Sequence, residues 1–378
     1  MNKISWATTV VGSFPYENTK KNMEQAFWDQ IHAGVDYPCY PQLVSMMDQF
    51  FDPAIEANCG IIKKGKKYYL EGDFTVPPKP IALEYGQFVL DFFEKYPEAK
   101  FCIKGWKACL TGPFTLAGEI IIPPEKANGK RTILYEEPRA IMNAEICSQL
   151  ATMMADVARE YVNMGASIIS MDEPSLGLII GARKTFFHPE ETFVEILNQA
   201  LAPITAQSTS QSSSQSSAQS SSQSSSQSSP HSSPHSSPQS SPHSSPQSSI
   251  HVCGRISPRL RDVLLHTNVN IVDHEFQKAD NEGLYTRDHL ESHNKVLAYG
   301  ILERSVAYQA NGSLESYVET PAKLEELISK VVSHYGKENL ILKPDCGFGG
   351  LKAIFGQDLA SEIVRQKLSN LTQAMQKF

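Results

Sequence analysis

Two residue types that bind metals stand two positions apart in the segment His251-Val252-Cys253. If this segment is a strand, both side chains project from one face, because alternate residues of a strand point the same way. Glu275 follows in the sequence IVDHEF, and Cys346 follows in KPDCG. Two thiolates, one imidazole and one carboxylate form a complete tetrahedral set for Zn²⁺. The four residues predict a zinc site if the fold brings them together.

Each of these side chains also has a simpler explanation. Cysteines are often buried as small apolar residues, and a core histidine is commonly satisfied by hydrogen bonds. Glu275 has an ordinary role as a surface charge at a strand end, and its neighbour His274 is a rival ligand. Because neighbours on a strand face opposite ways, only one of these two can meet the metal. The conjunction of all four residues favours metal binding.

The elements that must position these residues alternate between apolar strands and amphipathic helices. We predict strands at 8–14, 35–39, 106–110, 167–172, 250–253, 270–275, 296–301 and 339–343. Apolar residues at helical spacing predict helices at 139–164, 190–203, 260–265, 321–335 and 357–368. Strands followed by helices imply a parallel sheet, and eight such units close into a (β/α)8 TIM barrel. The four candidate ligands then lie at the carboxyl ends of strands five, six and eight, where barrel enzymes keep their active sites.

Residues 207–249 consist almost wholly of Ser, Gln, Pro and His. Such a composition cannot offset the entropy of ordering, so we predict a disordered insertion. A helix precedes it and a strand follows it, so it is interpreted as an enlarged loop between helix 4 and strand 5 of one barrel, residues 1–378. His231, His235 and His243 within it are interpreted as low-complexity sequence, because a flexible loop does not pre-organise ligands.

The composition argues against several function classes. The chain has 378 residues, of which 41% are hydrophobic and 20% charged, as is typical of globular proteins. Its net charge of −7 argues against a nucleic acid or an anionic membrane as the main partner. No stretch resembles a membrane helix or a signal peptide. Seven scattered cysteines fit reduced thiols, so we expect a cytoplasmic protein.

Six motifs occur in an order that resembles the C-terminal catalytic barrel of the cobalamin-independent methionine synthase family. They are TTVVGSFP at 8–15, LTGPFTL at 110–116, MDEPSL at 171–176, HVC at 251–253, HEF at 274–276 and KPDCG at 343–347. The resemblance implies zinc binding by the four residues named above. It also implies that Gly12 and Ser13 hold the amino-acid substrate and that Asp172 receives its ammonium group. The simpler alternatives are a tight turn at Gly12-Ser13 and a capped turn after Asp172.

Zinc suits the chemistry that this family performs. A thiol has a pKa near ~8.5 and is mostly protonated at neutral pH, whereas coordination to zinc deprotonates it. Four protein ligands are typical of a closed structural site. Our hypothesis is therefore that one ligand, Glu275, yields when the substrate sulfur arrives.

The chain departs from the family in three places. It has no room for the additional N-terminal barrel that helps to bind folate, so the expected donor is methylcobalamin carried by a corrinoid protein, as in short single-barrel relatives. Tyr40 and Gln42 stand where substrate-binding glutamates are expected. Glu303 and Ser305 stand where the family has an aspartate and a histidine, and they are the remaining candidates for catalytic proton transfer.

These observations predict a zinc-dependent methyltransferase that converts homocysteine into methionine. Three alternatives stay open. The first is alkyl transfer from another donor or to another thiol, such as coenzyme M, which a panel of thiols would separate. The second is a metal-free barrel decarboxylase of the related porphyrin type, which metal analysis would separate. The third is a non-catalytic corrinoid-handling protein whose structural zinc would not respond to added thiol.

Overall fold

A seven-stranded parallel sheet forms the centre of the molecule. The computed structural model describes residues 3–219 and 245–378. Its strands are β1 (Ala7–Thr8), β2 (Ile61–Lys64), β3 (Lys67–Leu70), β4 (Lys107–Thr111), β5 (Ile120–Ile121), β6 (Ile168–Asp172), β7 (Gln247–Val252), β8 (Ile271–His274), β9 (Val296–Leu302) and β10 (Leu340–Pro344). The order in the large sheet is β1-β10-β9-β8-β7-β6-β4. The predicted parallel α/β architecture is thus confirmed.

The sheet curls until both of its edge strands meet the same segment. Beyond the end of β1, Thr9 forms a parallel bridge with Tyr37, and Ser13 forms one with Gln42. On the other edge, Cys39 forms a parallel bridge with Lys107, the first residue of β4. This arrangement is consistent with a TIM-barrel-like fold in which the segment that contains Cys39 lies at the second strand position.

Two predicted strands differ from the structure. Isolated bridges replace the strand predicted at 35–39, because Pro38 and Pro41 have no N–H group to donate to a ladder. The strand predicted at 8–14 is regular only over Ala7–Thr8. The remaining predicted strands correspond to β4 and to β6 through β10.

Helices follow the strands of the large sheet. They are α1 (Lys20–His32), α2 (Asp48–Glu56), α3 (Glu84–Lys95), α4 (Pro113–Glu119), α5 (Ala144–Asn163), α6 (Pro174–Ile179), α7 (Glu190–Gln219), α8 (Pro258–His266), α9 (Arg287–Ser292), α10 (Pro321–Tyr335) and α11 (Leu351–Met375). The helix α10 has the predicted bounds, because Thr320 caps it and Pro321 suits its first turn. Gly356, with φ of 72°, kinks α11 immediately before the predicted start at 357.

An apolar cluster closes the amino-terminal end of the curled sheet. Its members include Ala7, Ile168, Ile271, Val296 and Ile341, which come from five different strands and are almost fully buried. Asp172, His251 and Asp273 lie nearer the carboxyl ends of their strands. Those ends carry the candidate site.

A second, smaller sheet was not predicted. The antiparallel hairpin β2–β3 pairs through β3 with β5, which runs parallel to it. The hairpin turns at Gly65, whose φ of 63° lies in the left-handed region that glycine adopts readily. The sequence IIKKGKKYYL does contain this signal, with apolar residues on both sides of a glycine turn.

The bounds predicted for the Ser/Gln-rich insertion were too wide. Its first residues, 207–219, continue helix α7, and Gln247 already belongs to β7. The strand starts early because Gln247 donates its backbone N–H to Ser167 at 2.9 Å and Ser248 donates to Asn270 Oδ1 at 2.9 Å. His231, His235 and His243 lie outside the described residues. Among the helices of 3–219 and 245–378, none has the length and apolar character to cross a membrane.

Candidate metal centre and substrate site

The side chains of His251, Cys253 and Cys346 meet at the carboxyl ends of their strands. His251 Nε2 lies 3.0 Å from Cys253 Sγ, and Cys253 Sγ lies 3.2 Å from Cys346 Sγ. One ligand atom from each residue falls within 4.8 Å of the other two. An imidazole and two thiols at these separations are donors that Zn²⁺ prefers. The structure thus brings together three of the four predicted ligands.

Asp273 orients the imidazole of His251. In the register of the parallel ladder the two residues are partners on β7 and β8, so their side chains share one face. His251 Nδ1 lies 2.6 Å from Asp273 Oδ1, which leaves Nε2 facing the thiols. Burial alone lowers the pKa of His251, but the Asp273 carboxylate outweighs it and raises that pKa to about 10. A carboxylate behind a histidine is the usual support of a metal-binding imidazole.

Asp273 is itself held by two buried lysines. Lys343 Nζ lies 2.9 Å and Lys107 Nζ lies 3.4 Å from its carboxylate oxygens, and all three side chains are at most 1% exposed. Burial raises the pKa of Asp273, but Lys343, His251 and Lys107 outweigh it and hold that pKa well below its usual range. The carboxylate is therefore ionised beneath the candidate centre, where it fixes the imidazole.

The two thiols share a hydrogen bond. The hydrogen bond with Cys346, together with burial, raises the pKa of Cys253, whereas the same hydrogen bond and the nearby His251 hold the pKa of Cys346 well below its usual range. Cys346 is therefore the thiol that ionises first. A cation placed between them would remove the remaining proton, because bound metal ions deprotonate thiols outright.

Asp345 connects two segments by hydrogen bonds: the turn that contains Cys346 and the loop after β8. Its Oδ1 accepts a hydrogen bond from Phe276 N at 2.9 Å, and its Oδ2 accepts one from Gln277 N at 3.1 Å. Burial raises the pKa of Asp345 to about 6, although these donors oppose the shift. Because Glu275 directly precedes Phe276, Asp345 fixes Glu275 and Cys346 relative to each other.

Glu275 lies at the same rim but is not among the three clustered donors. Its side chain is 6% exposed, and its Oε1 lies 3.2 Å from Arg304 Nε. Its Oε2 accepts a hydrogen bond from Gly254 N at 3.2 Å. His274 faces the other way, as predicted for a strand neighbour, with Nε2 at 3.0 Å from Tyr285 Oη. The carboxylate in this conformation is thus engaged by an arginine and a backbone amide.

Glu303 and Ser305 point away from the cluster. Both contact Lys278, whose ammonium pairs with the Glu303 carboxylate and donates to Ser305 Oγ at 2.8 Å. Arg304, between them, is the residue of this segment that reaches Glu275. The structure places neither predicted proton-transfer candidate against the three donors.

The three predicted substrate residues lie at two places beside the cluster, Asp172 at the end of β6 and Gly12-Ser13 after β1. Asp172 ends β6 and pairs in register with His251 on β7. Burial raises the pKa of Asp172 to about 6, although His251 and Lys107 lower it. Ser13 O accepts a hydrogen bond from Phe348 N at 2.8 Å, so the segment after β1 contacts the turn of Cys346. A Cβ atom at position 12 would lie 2.8 Å from Gln42 Oε1, which explains why this close approach needs Gly12.

A network of neutral side chains occupies the position where the family resemblance implies glutamates. Gln42 Nε2 donates to Gln49 Oε1 and to Cys109 O, each at 3.0 Å. Gln49 Nε2 donates to Tyr40 Oη at 3.0 Å, and Tyr40 Oη donates to the same Cys109 carbonyl. The network is buried and carries no charge. Asp172 is consequently the one predicted substrate residue that brings a negative charge.

Sequence reasoning missed Asp273, Lys107, Lys343 and Arg304. The two lysines do carry a signal, since each stands in an otherwise apolar strand, in WKACL and in LILKP. Buried lysines need a counter-ion, and Asp273 is an acid at an inward strand position. Arg304 carries no comparable signal, because its partner Glu275 lies on another strand.

The fold and the cluster together define a class of protein. A curled parallel sheet with an imidazole and two thiols at its carboxyl rim is consistent with a TIM-barrel-like fold whose cluster could hold a metal ion. Comparison with known proteins gives a narrower answer. The chain is 23% identical over 393 residues to the methionine synthase of Methanothermobacter marburgensis, and the alignment covers 98% of this chain and 99% of that protein.

Two solved structures are similar to this chain in fold. The B12-independent methionine synthase of Shewanella sp. W3-18-1, in complex with selenomethionine, has a TM-score of 0.58 at 14% identity and is matched over 97% of its chain and 99% of this one. A Listeria monocytogenes protein assigned to the vitamin-B12-independent methionine synthases has a TM-score of 0.54 at 13% identity, over 86% of its chain and 95% of this one. No protein-family profile matches the chain. These relatives confirm the resemblance to the cobalamin-independent methionine synthase family and the prediction of a methyltransferase.

Proposed function

We propose that this chain is a zinc-dependent methyltransferase that methylates the sulfur of homocysteine and so forms methionine. The observation that carries the proposal is the meeting of His251, Cys253 and Cys346 within 4.8 Å at the rim of the sheet. The Methanothermobacter relative, matched over nearly its whole length, is a methionine synthase. We further propose that residues 1–378 form one (β/α)8 barrel in which 220–244 belong to an insertion.

The residues fit a bound zinc ion. Two thiols and an imidazole are its preferred donors, and Asp273 supports the imidazole from behind. We propose Glu275 as a fourth ligand that yields to the substrate sulfur. Zinc, when bound, lowers the pKa of a substrate thiol and so makes the sulfur a nucleophile at neutral pH. The sulfur then bonds to the methyl carbon as the bond between that carbon and the donor breaks.

The amino-acid part of the substrate is assigned to the end of β6 and to the segment after β1. We propose that the Asp172 carboxylate receives the substrate ammonium, because it lies in register beside His251 and is 6% exposed. Gly12 and Ser13 are proposed to hold the rest of the amino-acid group. Their segment contacts the turn that carries Cys346, so the head group and the sulfur would bind side by side.

The methyl donor is a separate question. We propose methylcobalamin, presented by a corrinoid protein, as the first donor to test, with a methylated folate as the other. The Shewanella protein, however, is described as B12-independent, and this similarity of fold argues against a corrinoid donor. Both classes of donor are therefore tested in the same activity assay. The free state of all seven cysteines supports a cytoplasmic location as part of the proposal.

A second acceptor is favoured by one specific observation. Tyr40 and Gln42 leave the substrate side of the site neutral except for Asp172. A thiol without an ammonium group, such as coenzyme M, would bind there without losing a charged partner. Transfer to such a thiol is the alternative function.

Zinc-edge X-ray absorption with and without homocysteine tests the metal and the acceptor together. We expect two sulfur ligands in the resting protein and three when homocysteine is added. Cys346→Ser should lose one sulfur and most of the bound zinc, whereas Cys102→Ser, which changes an exposed cysteine, should match the wild type. A protein with no zinc would support the decarboxylase alternative, and zinc that does not respond to any thiol would indicate a structural site.

Activity assays then assign the two substrates. Homocysteine and coenzyme M are each offered with methylcobalamin, with a methylated corrinoid protein and with a methylated folate. Methionine formation with one donor identifies it. Turnover of coenzyme M without turnover of homocysteine would replace the leading proposal by the alternative.

A further inference from the structure

Arg304 and Glu275 form an ion pair beside the candidate metal centre. Arg304 Nε lies 3.2 Å from Glu275 Oε1, and the second carboxylate oxygen accepts the Gly254 N–H at 3.2 Å. The glutamate side chain is 6% exposed, whereas the arginine side chain is 49% exposed. A nearly buried carboxylate thus has a charged partner that reaches it from the solvent side.

The segment that carries Arg304 is fixed on both sides of the arginine. Lys278 binds Glu303 and Ser305, the residues before and after it, and Glu303 N donates to Glu319 Oε1 at 3.0 Å. Both neighbours therefore face Lys278, which leaves Arg304 directed at Glu275. The residues on either side of Arg304 thus have contacts of their own that do not involve Glu275.

Glu275 has two competing partners in this geometry. One is a cation at the cluster of His251, Cys253 and Cys346. Glu275 lies next to this cluster, because it accepts a hydrogen bond from the backbone N–H of Gly254, the residue after Cys253. The other is Arg304. A buried carboxylate cannot leave a metal ion unless another group compensates its charge, because an unpaired buried charge costs several kcal/mol.

We propose that Arg304 is a positioning residue that receives the Glu275 carboxylate when a substrate thiol takes its place at the metal. The inference rests on the proposed function, because it assumes that zinc binds the three clustered donors. Arg304 would convert a closed set of four protein ligands into an open set of three. It would do so through Glu275, without touching the substrate.

The variant Arg304→Met removes the charge and keeps most of the side chain's length, and Arg304→Lys restores the charge. Arg255→Met is the matched control, because Arg255 is 78% exposed and its nearest acid, Asp280, lies 4.0 Å away at the surface. The zinc-loaded proteins are titrated with homocysteine, and the oxygen and sulfur ligands are counted by X-ray absorption. Zinc affinity is measured by competition with a chelator.

In Arg304→Met, Glu275 should stay on the metal. We expect the oxygen ligand to persist after homocysteine is added, homocysteine to bind about tenfold more weakly or worse, and zinc to bind more tightly, since the ion pair that compensates the Glu275 charge is lost from the open state alone. Arg304→Lys should lie between Arg304→Met and the wild type, and Arg255→Met should match the wild type. A wild-type ligand exchange and homocysteine affinity in Arg304→Met would overturn the inference while leaving the zinc site intact. Absence of zinc from the wild type would instead end the proposed function.

Discussion

Replacement of Asp273 by Asn tests whether the charge beneath the candidate centre supports both the fold and the metal. The carboxylate is completely buried and lies within 3.4 Å of three basic groups, namely His251, Lys343 and Lys107. The variant keeps the size of the side chain but leaves two buried ammonium groups without their counter-ion. Removal of one partner from a buried charge pair costs about 3–5 kcal/mol. We expect a loss of that size in the free energy of unfolding.

The same substitution acts on metal binding through a different route. His251 loses the acceptor that holds its Nδ1, so the ring is no longer fixed with Nε2 toward Cys253. Loss of such a support lowers metal affinity by about 10- to 100-fold. In the double variant Asp273→Asn with Lys107→Met, one unpaired charge is removed together with the acid. We expect it to recover part of the stability and none of the zinc affinity.

The measurements are urea unfolding of the metal-free proteins and chelator competition for zinc. Asp280→Asn is the control, because its side chain is 86% exposed and we expect no change in either quantity. A loss of stability below about 1 kcal/mol in Asp273→Asn, the range of a surface ion pair, would refute the charge argument. Unchanged zinc affinity would refute the role assigned to His251 orientation.

Three further predictions concern the substrate side and the insertion. Burial raises the pKa of Asp172 to about 6, so its carboxylate becomes neutral below that pH, and the wild-type KM for homocysteine should rise as pH falls through 6. In Asp172→Asn the KM should not change with pH, and at pH 8 it should exceed the wild-type KM by about tenfold or more. Gln42→Glu places a carboxylate against two buried acceptors that now receive N–H groups, so thermal unfolding should show a loss of about 1–3 kcal/mol. Exchange of 220–244 for a short Gly/Ser linker should leave the melting temperature and kcat/KM unchanged, whereas deletion of 207–249 should lower both, because it removes the first residues of β7.

The metal cluster could be predicted because its residues carry local signals. His251 and Cys253 occupy alternate positions of one strand, and the period of a strand places them on one face whatever the rest of the fold does. Cys346 required one further step, the rule that parallel strands of a barrel end at a common rim. Distances between side chains of different strands follow from that rule only approximately, so Glu275, which contacts Arg304 here, stays a predicted ligand.

The second strand position shows where periodicity reaches its limit. The segment around Cys39 has the place of a strand in the curled sheet, yet Pro38 and Pro41 prevent a continuous ladder. Apolar pattern alone predicts a strand there, whereas the proline positions allow only isolated bridges. In β7 the opposite happened: Ser248 has no apolar signal, and hydrogen bonds from neighbouring strands impose the extended conformation.

Two features of the candidate site share one electrostatic direction. On the substrate side, the amide of Gln42 must donate to two buried acceptors, a task that a carboxylate cannot perform, so neutrality is part of that network. On the metal side, Arg304 adds a positive charge beside Glu275. Both features make the surroundings of the three clustered donors less negative than glutamates at positions 40 and 42 and an unpaired Glu275 would. We therefore expect an acceptor that carries an anionic group to bind better here than beside two glutamates, and we expect Asp172 to be the residue on which recognition of an ammonium group depends.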